Sequence, residues 1–132
     1  MSLLPPHKNF IIQSAISRDI DHLSELVKPW NLHLRKMDKG NHFIGNIDQI
    51  AAEDFLIIKT ESSSVLEQKG TPPEGMRTFW IPADDEQFFY LRNINITGNT
   101  IGFFPLGAEL DAVTKPGFKA YVISVPEKHL VA

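Results

Sequence analysis

Short apolar runs separated by turn-forming residues fill most of the chain, and this pattern predicts β-strands. The runs are rich in Val, Ile, Phe and Tyr and are bounded by Gly, Pro or Asn. About eight to nine of them recur every eight to twelve residues, from a first strand over 9–16 to a closing meander over 100–126. That spacing is typical of a β-sandwich or β-barrel.

One internal segment has helical instead of strand periodicity. Its apolar positions lie three or four residues apart: Ile16, Ile20, Leu23 and Val27. Ser17 or Asp19 can cap the start of this helix, because both side chains accept hydrogen bonds from free backbone N–H groups. Pro29 ends it, since the residue before a proline disfavours the α conformation. We expect a short amphipathic helix over 19–28 that lies against a sheet.

A second helix start is predicted near the C-terminus. Ser124 and Glu127 have the Ser-x-x-Glu spacing of a capping box, and Pro126 between them suits an early helical position. Only about one turn separates this start from Ala132. We therefore expect residues 1–132 to be one domain of a longer polypeptide.

Composition restricts the class of protein. A length of 132 residues suits a single domain with its own core, and 42% apolar and 22% charged residues are ordinary values for a globular protein. A net charge of −3 without a basic cluster disfavours direct contact with nucleic acid. The absence of Cys excludes disulfides and thiol chemistry, and no apolar run is long enough to span a membrane. We expect a cytoplasmic protein.

Several short segments occur in an order that is similar to a known family. They are 30–32 (Trp-Asn-Leu), 39–45 (Lys-Gly-Asn-His-Phe-Ile-Gly), 70–75 (Gly-Thr-Pro-Pro-Glu-Gly), 78–82 (Thr-Phe-Trp-Ile-Pro), 104–111 (Phe-Pro-Leu-Gly-Ala-Glu-Leu-Asp), 116–118 (Pro-Gly-Phe) and 124–126 (Ser-Val-Pro). Together they cover much of the chain from Asn31 onward, which resembles the N-terminal domain of AraC-type bacterial transcription regulators.

This resemblance implies a mainly β, cupin-like barrel of the jelly-roll type, with one short N-terminal helix and a helix start at the C-terminus. It further implies a non-enzymatic domain that needs no cofactor and that senses a small-molecule effector, mediates dimerisation, or does both. A homodimer is the expected assembly. DNA would be contacted only through a helix-turn-helix domain beyond residue 132.

Aromatic residues are concentrated in the second half of the chain, and they indicate where such an effector would bind. A barrel of this size can enclose one small ligand behind apolar and aromatic walls. The predicted pocket residues are Arg77, Phe79, Ile81, Phe88, Tyr90, Phe103 and Tyr121, with Arg77 or Tyr90 as the polar group. The strand over 76–82 has a second possible inner face, formed by Met76, Thr78 and Trp80. The alternative is a barrel that its own aromatics fill completely.

The other function considered is that of a small metal-dependent cupin enzyme, either an isomerase or a dioxygenase. His33 and His42 lie on consecutive predicted strands, and with Glu53 they would form a site of two histidines and one carboxylate. The chain lacks the His-x-His pair expected of such an enzyme, and isolated histidines are more often simply exposed. We therefore expect no resident metal.

Overall fold

The structure is a computed structural model that describes residues 11–40, 42–83, 87–104 and 107–130. These residues form eleven strands, one α-helix and one short 3₁₀ helix. The strands make two antiparallel sheets that face each other. The predicted fold class, mainly β and cupin-like with one short N-terminal helix, is confirmed.

The first sheet has six strands in the order β1-β3-β4-β11-β6-β9. Their bounds are β1 Ile11–Ser17, β3 Gly45–Ala52, β4 Phe55–Ser62, β6 Met76–Pro82, β9 Gly102–Phe104 and β11 Phe118–Pro126. The second sheet has five strands in the order β2-β5-β10-β7-β8. Their bounds are β2 Asn31–Lys36, β5 Leu66–Thr71, β7 Phe88–Leu91, β8 Ile94–Thr97 and β10 Leu110–Thr114.

Long hairpins cross from one sheet to the other, which gives the jelly-roll character. Strand β3 pairs with β4 in the first sheet, while the flanking strands β2 and β5 pair with each other in the second. In the same way β6 pairs with β11 and β7 pairs with β10. Each hairpin therefore contributes to both sheets, and both sheets share one core.

Buried serines hold the corner at which β4 leaves the first sheet. Ser62 Oγ accepts a hydrogen bond from the Ser64 backbone N–H at 3.1 Å, and Ser64 Oγ donates to the His42 carbonyl at 3.3 Å. Ser63 Oγ accepts from the Ile44 N–H at 2.9 Å. These bonds satisfy polar groups that the bend removes from the sheet ladder, so the run of three serines is structural.

The predicted helix is α1, Ile20–Leu26. Asp19 caps it, because its carboxylate accepts a hydrogen bond from the Asp21 N–H at 2.9 Å. Ser17 is buried just outside the helix and hydrogen-bonds to Asp19. Leu23 and Val27 are buried and face the sheets as predicted. Ile16, the first member of the predicted stripe, lies instead in β1 and is 70% exposed.

The C-terminal helix start differs from the prediction in position and in cap. Strand β11 continues to Pro126, and a 3₁₀ helix then covers Glu127–His129 without a side-chain cap. The predicted capping box is wrong, because Ser124 is fully buried inside the strand. The Glu127 side chain instead forms a bidentate ion pair with Arg77 on the neighbouring strand β6. Arg77 Nη2 lies 3.0 Å from Glu127 Oε1.

Ser124 and Thr78 form a buried hydroxyl pair that carries a testable prediction. They are register partners on β11 and β6, are both 0% exposed, and have their oxygens 2.8 Å apart. Thr78→Val keeps the side-chain shape but leaves the Ser124 hydroxyl without this partner. We expect urea denaturation to show a loss of about 1–3 kcal/mol in the free energy of unfolding.

The double variant Thr78→Val/Ser124→Ala provides the control. It removes both hydroxyls, so no buried polar group is left unpaired, and much of the lost stability should return. Strictly additive losses in the two single variants and the double variant would contradict the pairing.

Candidate functional site

The candidate site is a two-lobed cavity between the sheets. The first lobe has a volume of about 70 Å³ and lies beside α1; its lining includes Leu23, Val27, Leu34, Ile47, Ile58 and Leu66. The second lobe, also about 70 Å³, lies toward the aromatic end; its lining includes Trp80, Phe89, Phe104, Ala112 and Phe118. The lobes share four lining residues: Trp30, Thr60, Gln68 and Val122. They are therefore adjacent parts of one interior space.

Trp30 lines both lobes of the cavity. It follows α1 directly, its backbone N–H donates to the Val27 carbonyl at 3.0 Å, and its side chain is 5% exposed. Its ring meets Phe104 edge-on, with centroids 6.1 Å apart and planes at 82°. This geometry is favourable for aromatic pairs, so the indole is held in one orientation.

An aromatic cluster closes the second lobe. Trp80 meets Phe89 edge-on at 4.9 Å, and Phe89 contacts Phe118 at 5.2 Å. The Trp80 indole lies directly against the Gly102 backbone, where any Cβ would overlap the ring. Glycine at this position is therefore required by the close approach of the Trp80 side chain to the β9 backbone.

Three polar side chains face this apolar interior. Gln68 lies on β5, the second strand of the five-stranded sheet, and is paired with Leu34 on one side and Ala112 on the other. Its Nε2 donates to Thr114 Oγ1 at 3.2 Å. Thr60 reaches the same space from the six-stranded sheet. A ligand between the sheets would thus meet an amide and a hydroxyl from opposite walls.

The predicted pocket residues lie on the outer faces of the sheets, not on the inner ones. In β6 the buried side chains are Thr78, Trp80 and Pro82, so the second of the two predicted faces is the inner one. In β7, Phe89 is buried and Leu91 packs against the same core. The outward residues are Arg77, Phe79, Ile81, Phe88, Tyr90, Phe103 and Tyr121. Whether any of them contacts a ligand stays a prediction, but they do not line the interior cavity.

Several of these residues contact one another outside the core. Phe79 and Phe103 pack at 5.3 Å, and the Arg77 guanidinium lies 5.3 Å from the Phe103 ring centre. On the other sheet, Lys115 Nζ lies 4.2 Å from the centre of the Phe88 ring. Cation–π contacts of this kind stabilise exposed aromatics modestly. Strand alternation therefore brings several of the predicted pocket residues together on the outer surface of the sheets and not in the interior cavity.

Phe79 and Phe103 also belong to an apolar row across the outer face of the six-stranded sheet. Successive register partners make up the row: Ile12, Ile50, Ile57, Ile123, Phe79 and Phe103. Its two end members are well exposed, Ile12 by 66% and Phe103 by 47%. Beside the row lies an open groove of about 480 Å³ between β1, β3 and β4, with charged Asp48, Lys59 and Glu61 in its lining.

The weak candidate metal site is not assembled. His42 precedes β3 and Glu53 follows it, so the eight residues of the strand, about 25 Å of extended chain, separate them. His33 is exposed on the other sheet, opposite Lys69. Within the described residues, no group of three or more His, Cys, Asp or Glu side chains is arranged to hold a metal ion.

Electrostatic contacts brace the five-stranded sheet and the loop after β2. The guanidinium of Arg35 hydrogen-bonds both carboxylate oxygens of Glu67 on β5, which lowers the pKa of Glu67 and raises that of Arg35. The Lys36 ammonium, 2.9 Å from Asp38 Oδ1, lowers the pKa of Asp38, with help from the Val65 N–H. These ion pairs support the strands that carry Gln68.

The lowered pKa of Asp38 predicts a pH-dependent contribution to stability. The contribution is complete above the ordinary aspartate pKa of about 3.9 and is lost as the pH falls through the lower folded-state pKa. Asp38→Asn should therefore destabilise the protein at pH 7, and its difference from wild type should shrink toward pH 2 in denaturant titrations. Asp54→Asn, in the exposed β3–β4 turn, is the control. A difference that does not change with pH would contradict the ion pair.

Helices in the described part of the chain are all too short to cross a membrane. No protein-family model matches the chain, and a search of curated proteins finds no match. Among solved structures, the chain is similar to the crystal structure of the AraC-like transcriptional activator CuxR, with a TM-score of 0.65 over 88% of this chain. The two sequences are 10% identical, and the match spans 48% of the CuxR chain. The chain therefore has the fold of a region that makes up about half of an AraC-like transcriptional activator.

Proposed function

We propose that residues 1–132 are the regulatory domain of an AraC-type transcription regulator. In this proposal the domain senses a small-molecule effector, forms a homodimer and controls a DNA-binding domain beyond residue 132. The observation that carries the proposal is the fold similarity to part of an AraC-like transcriptional activator. The ordered sequence segments that resemble the same family support it independently.

The cavity supplies the physical basis for sensing. An effector between the sheets would contact side chains of both sheets and of α1, since Leu23 and Val27 line the first lobe. It can shift the domain between two states only if it binds one of them more tightly. A ligand that packs against α1 in one position and not in another would provide this difference.

The homodimer follows from the way that regulators of this kind read DNA. Helix-turn-helix dimers bind two half-sites, and a closed two-fold dimer places two such motifs in matching orientation. The net charge of −3 leaves DNA contact to the other domain. Sedimentation equilibrium of residues 1–132 should give about twice the chain mass of 14.9 kDa.

The decisive test is the complete reading frame of the gene. We expect it to continue past Ala132 into two helix-turn-helix motifs. The complete protein should bind DNA upstream of the genes that it controls, with an affinity that falls steeply as salt increases. Residues 1–132 alone, as the matched control, should not bind the same DNA. A complete protein without a DNA-binding domain, or one that does not bind DNA, would overturn the proposal.

A further inference from the structure

We infer that the interior cavity takes a small, neutral, largely apolar molecule, namely a single ring or short branched chain with one hydroxyl or amide group, and that Gln68 is its polar anchor. The effector role of this molecule rests on the function proposed above. The chemical class of the ligand rests on the cavity alone.

The cavity walls carry no charge. Among the described residues that line the two lobes, every side chain is uncharged, and the polar ones are Thr60, Gln68 and Thr114, apart from the tryptophan N–H groups. An ionised carboxylate or phosphate placed here would lose its hydration without gaining a counter-charge, which is strongly unfavourable. A polyol would leave most of its hydroxyls without partners, at a cost for each one. Acids, phosphates and sugars are therefore excluded by the lining.

Gln68 has hydrogen-bonding capacity to spare at the junction of the lobes. Its Nε2 is bonded to Thr114 Oγ1, while no hydrogen bond within the described residues engages its Oε1. A side-chain amide offers two donors and an acceptor with two lone pairs, and the opposite amide orientation would leave the donors free instead. In either orientation the amide can hold one hydroxyl or amide group of a neutral ligand.

The dimensions of the cavity limit the ligand to about one ring. Each lobe has a volume of about 70 Å³, and an apolar cavity of about 150 Å³ accommodates benzene. Taken together the lobes are close to the volume that holds benzene, so they suit about one ring with a small substituent. Trp30 and the aliphatic side chains of the lining would contact the ring of the ligand. The polar substituent of the ligand would point to Gln68.

Three matched probes test the inference on the wild-type chain: benzyl alcohol, toluene and benzoate at pH 7. Each has one benzene ring. Benzyl alcohol carries a hydroxyl group on its substituent, toluene carries no polar group, and benzoate carries a negative charge. Benzyl alcohol should raise the melting temperature of the protein to a limiting value as its concentration increases. In calorimetric titrations it should bind about tenfold more tightly than toluene, because one net hydrogen bond is worth about that factor in affinity. Benzoate should give no measurable binding.

Two variants assign the binding to this cavity and this anchor. Gln68→Leu should remove the roughly tenfold preference for benzyl alcohol while toluene still binds. Gln13→Leu makes the same chemical change on the exposed part of β1 and should leave all three probes unaffected. Ala112→Leu fills part of the second lobe and should weaken both neutral probes at least tenfold, because the added atoms occupy the ligand volume.

The results separate this inference from the proposed function. Equal binding of benzoate and benzyl alcohol, absence of binding by either neutral probe, or an unchanged preference in Gln68→Leu would overturn the ligand class. Those outcomes would leave DNA binding by the complete protein untouched. Conversely, the neutral probes could bind as expected while the complete protein proves to have no DNA-binding domain. That result would support the inferred ligand class and overturn the proposed regulator function. Should Ala112→Leu fail to fold, the comparison of the three probes on the wild type still decides.

Discussion

Trp30→Ala is expected to lower the free energy of unfolding by about 3–5 kcal/mol, the range found when a buried tryptophan is truncated. The side chain is 5% exposed, contacts Phe104 edge-on and lines both lobes of the cavity. Its removal takes away packing from the core and leaves a larger void. Chemical denaturation monitored by far-ultraviolet circular dichroism would measure the loss.

Two comparisons give this prediction specificity. Ile94→Ala truncates an apolar side chain that is 64% exposed and should change stability by less than about 0.5 kcal/mol. Indole added to Trp30→Ala should restore part of the lost stability, since it can occupy the vacated space and bind only the native state. A loss below about 1 kcal/mol for Trp30→Ala would mean that the residue is not a core member.

Gly102→Ala should also be strongly destabilising, by about 3 kcal/mol, at the upper end of the cost of overpacking a core. A methyl group at this position would overlap the Trp80 indole. The indole is 8% exposed and packs edge-on against Phe89, so it cannot move aside without disturbing the second lobe. Thermal and urea denaturation should both show the effect.

A double-mutant cycle with Trp80→Leu tests the stated cause. With the smaller leucine the methyl group has space, so Gly102→Ala should cost about 1–3 kcal/mol less in that background. Gly45→Ala is the matched control on another strand. Its methyl group would lie 3.0 Å from the Leu23 methyl groups and 3.2 Å from the Phe43 ring, with no overlap like that at Gly102, so it should cost less. An equal cost of Gly102→Ala in both backgrounds would show that contact with Trp80 is not the reason for glycine.

The sequence predicted the strands best where the apolar pattern was strong. Strand β6 was predicted with its observed bounds, and α1 was found from the spacing of its apolar residues. The sequence pattern misses strand β5, because Glu67, Gln68 and Lys69 carry no apolar alternation. Its place in the sheet comes from pairing with β2 and β10, which local sequence does not encode.

Dependence on long-range pairing also explains why the residues of the candidate site were not predicted from the sequence. Gln68 lies in the missed strand, and Trp30 follows a helix, so neither gave a strand signal. In β6 both alternating sets contain an aromatic residue, Phe79 in one and Trp80 in the other. A one-residue shift of phase exchanges the faces of a strand, so composition alone left the inner face undecided.

The apolar and turn patterns of the sequence were sufficient to predict a mainly β sandwich or barrel with one capped amphipathic helix, because strand alternation and helix capping depend on residues close together in the chain. The cupin-like form was implied by the family resemblance. The tertiary structure decided which face of each strand is buried, because burial depends on what the opposite sheet presents. It also placed Ser124 in a strand, since the Thr78 hydroxyl, distant in sequence, offers it a buried partner at 2.8 Å. The cavity and its Gln68 anchor arise from the same long-range packing of two sheets.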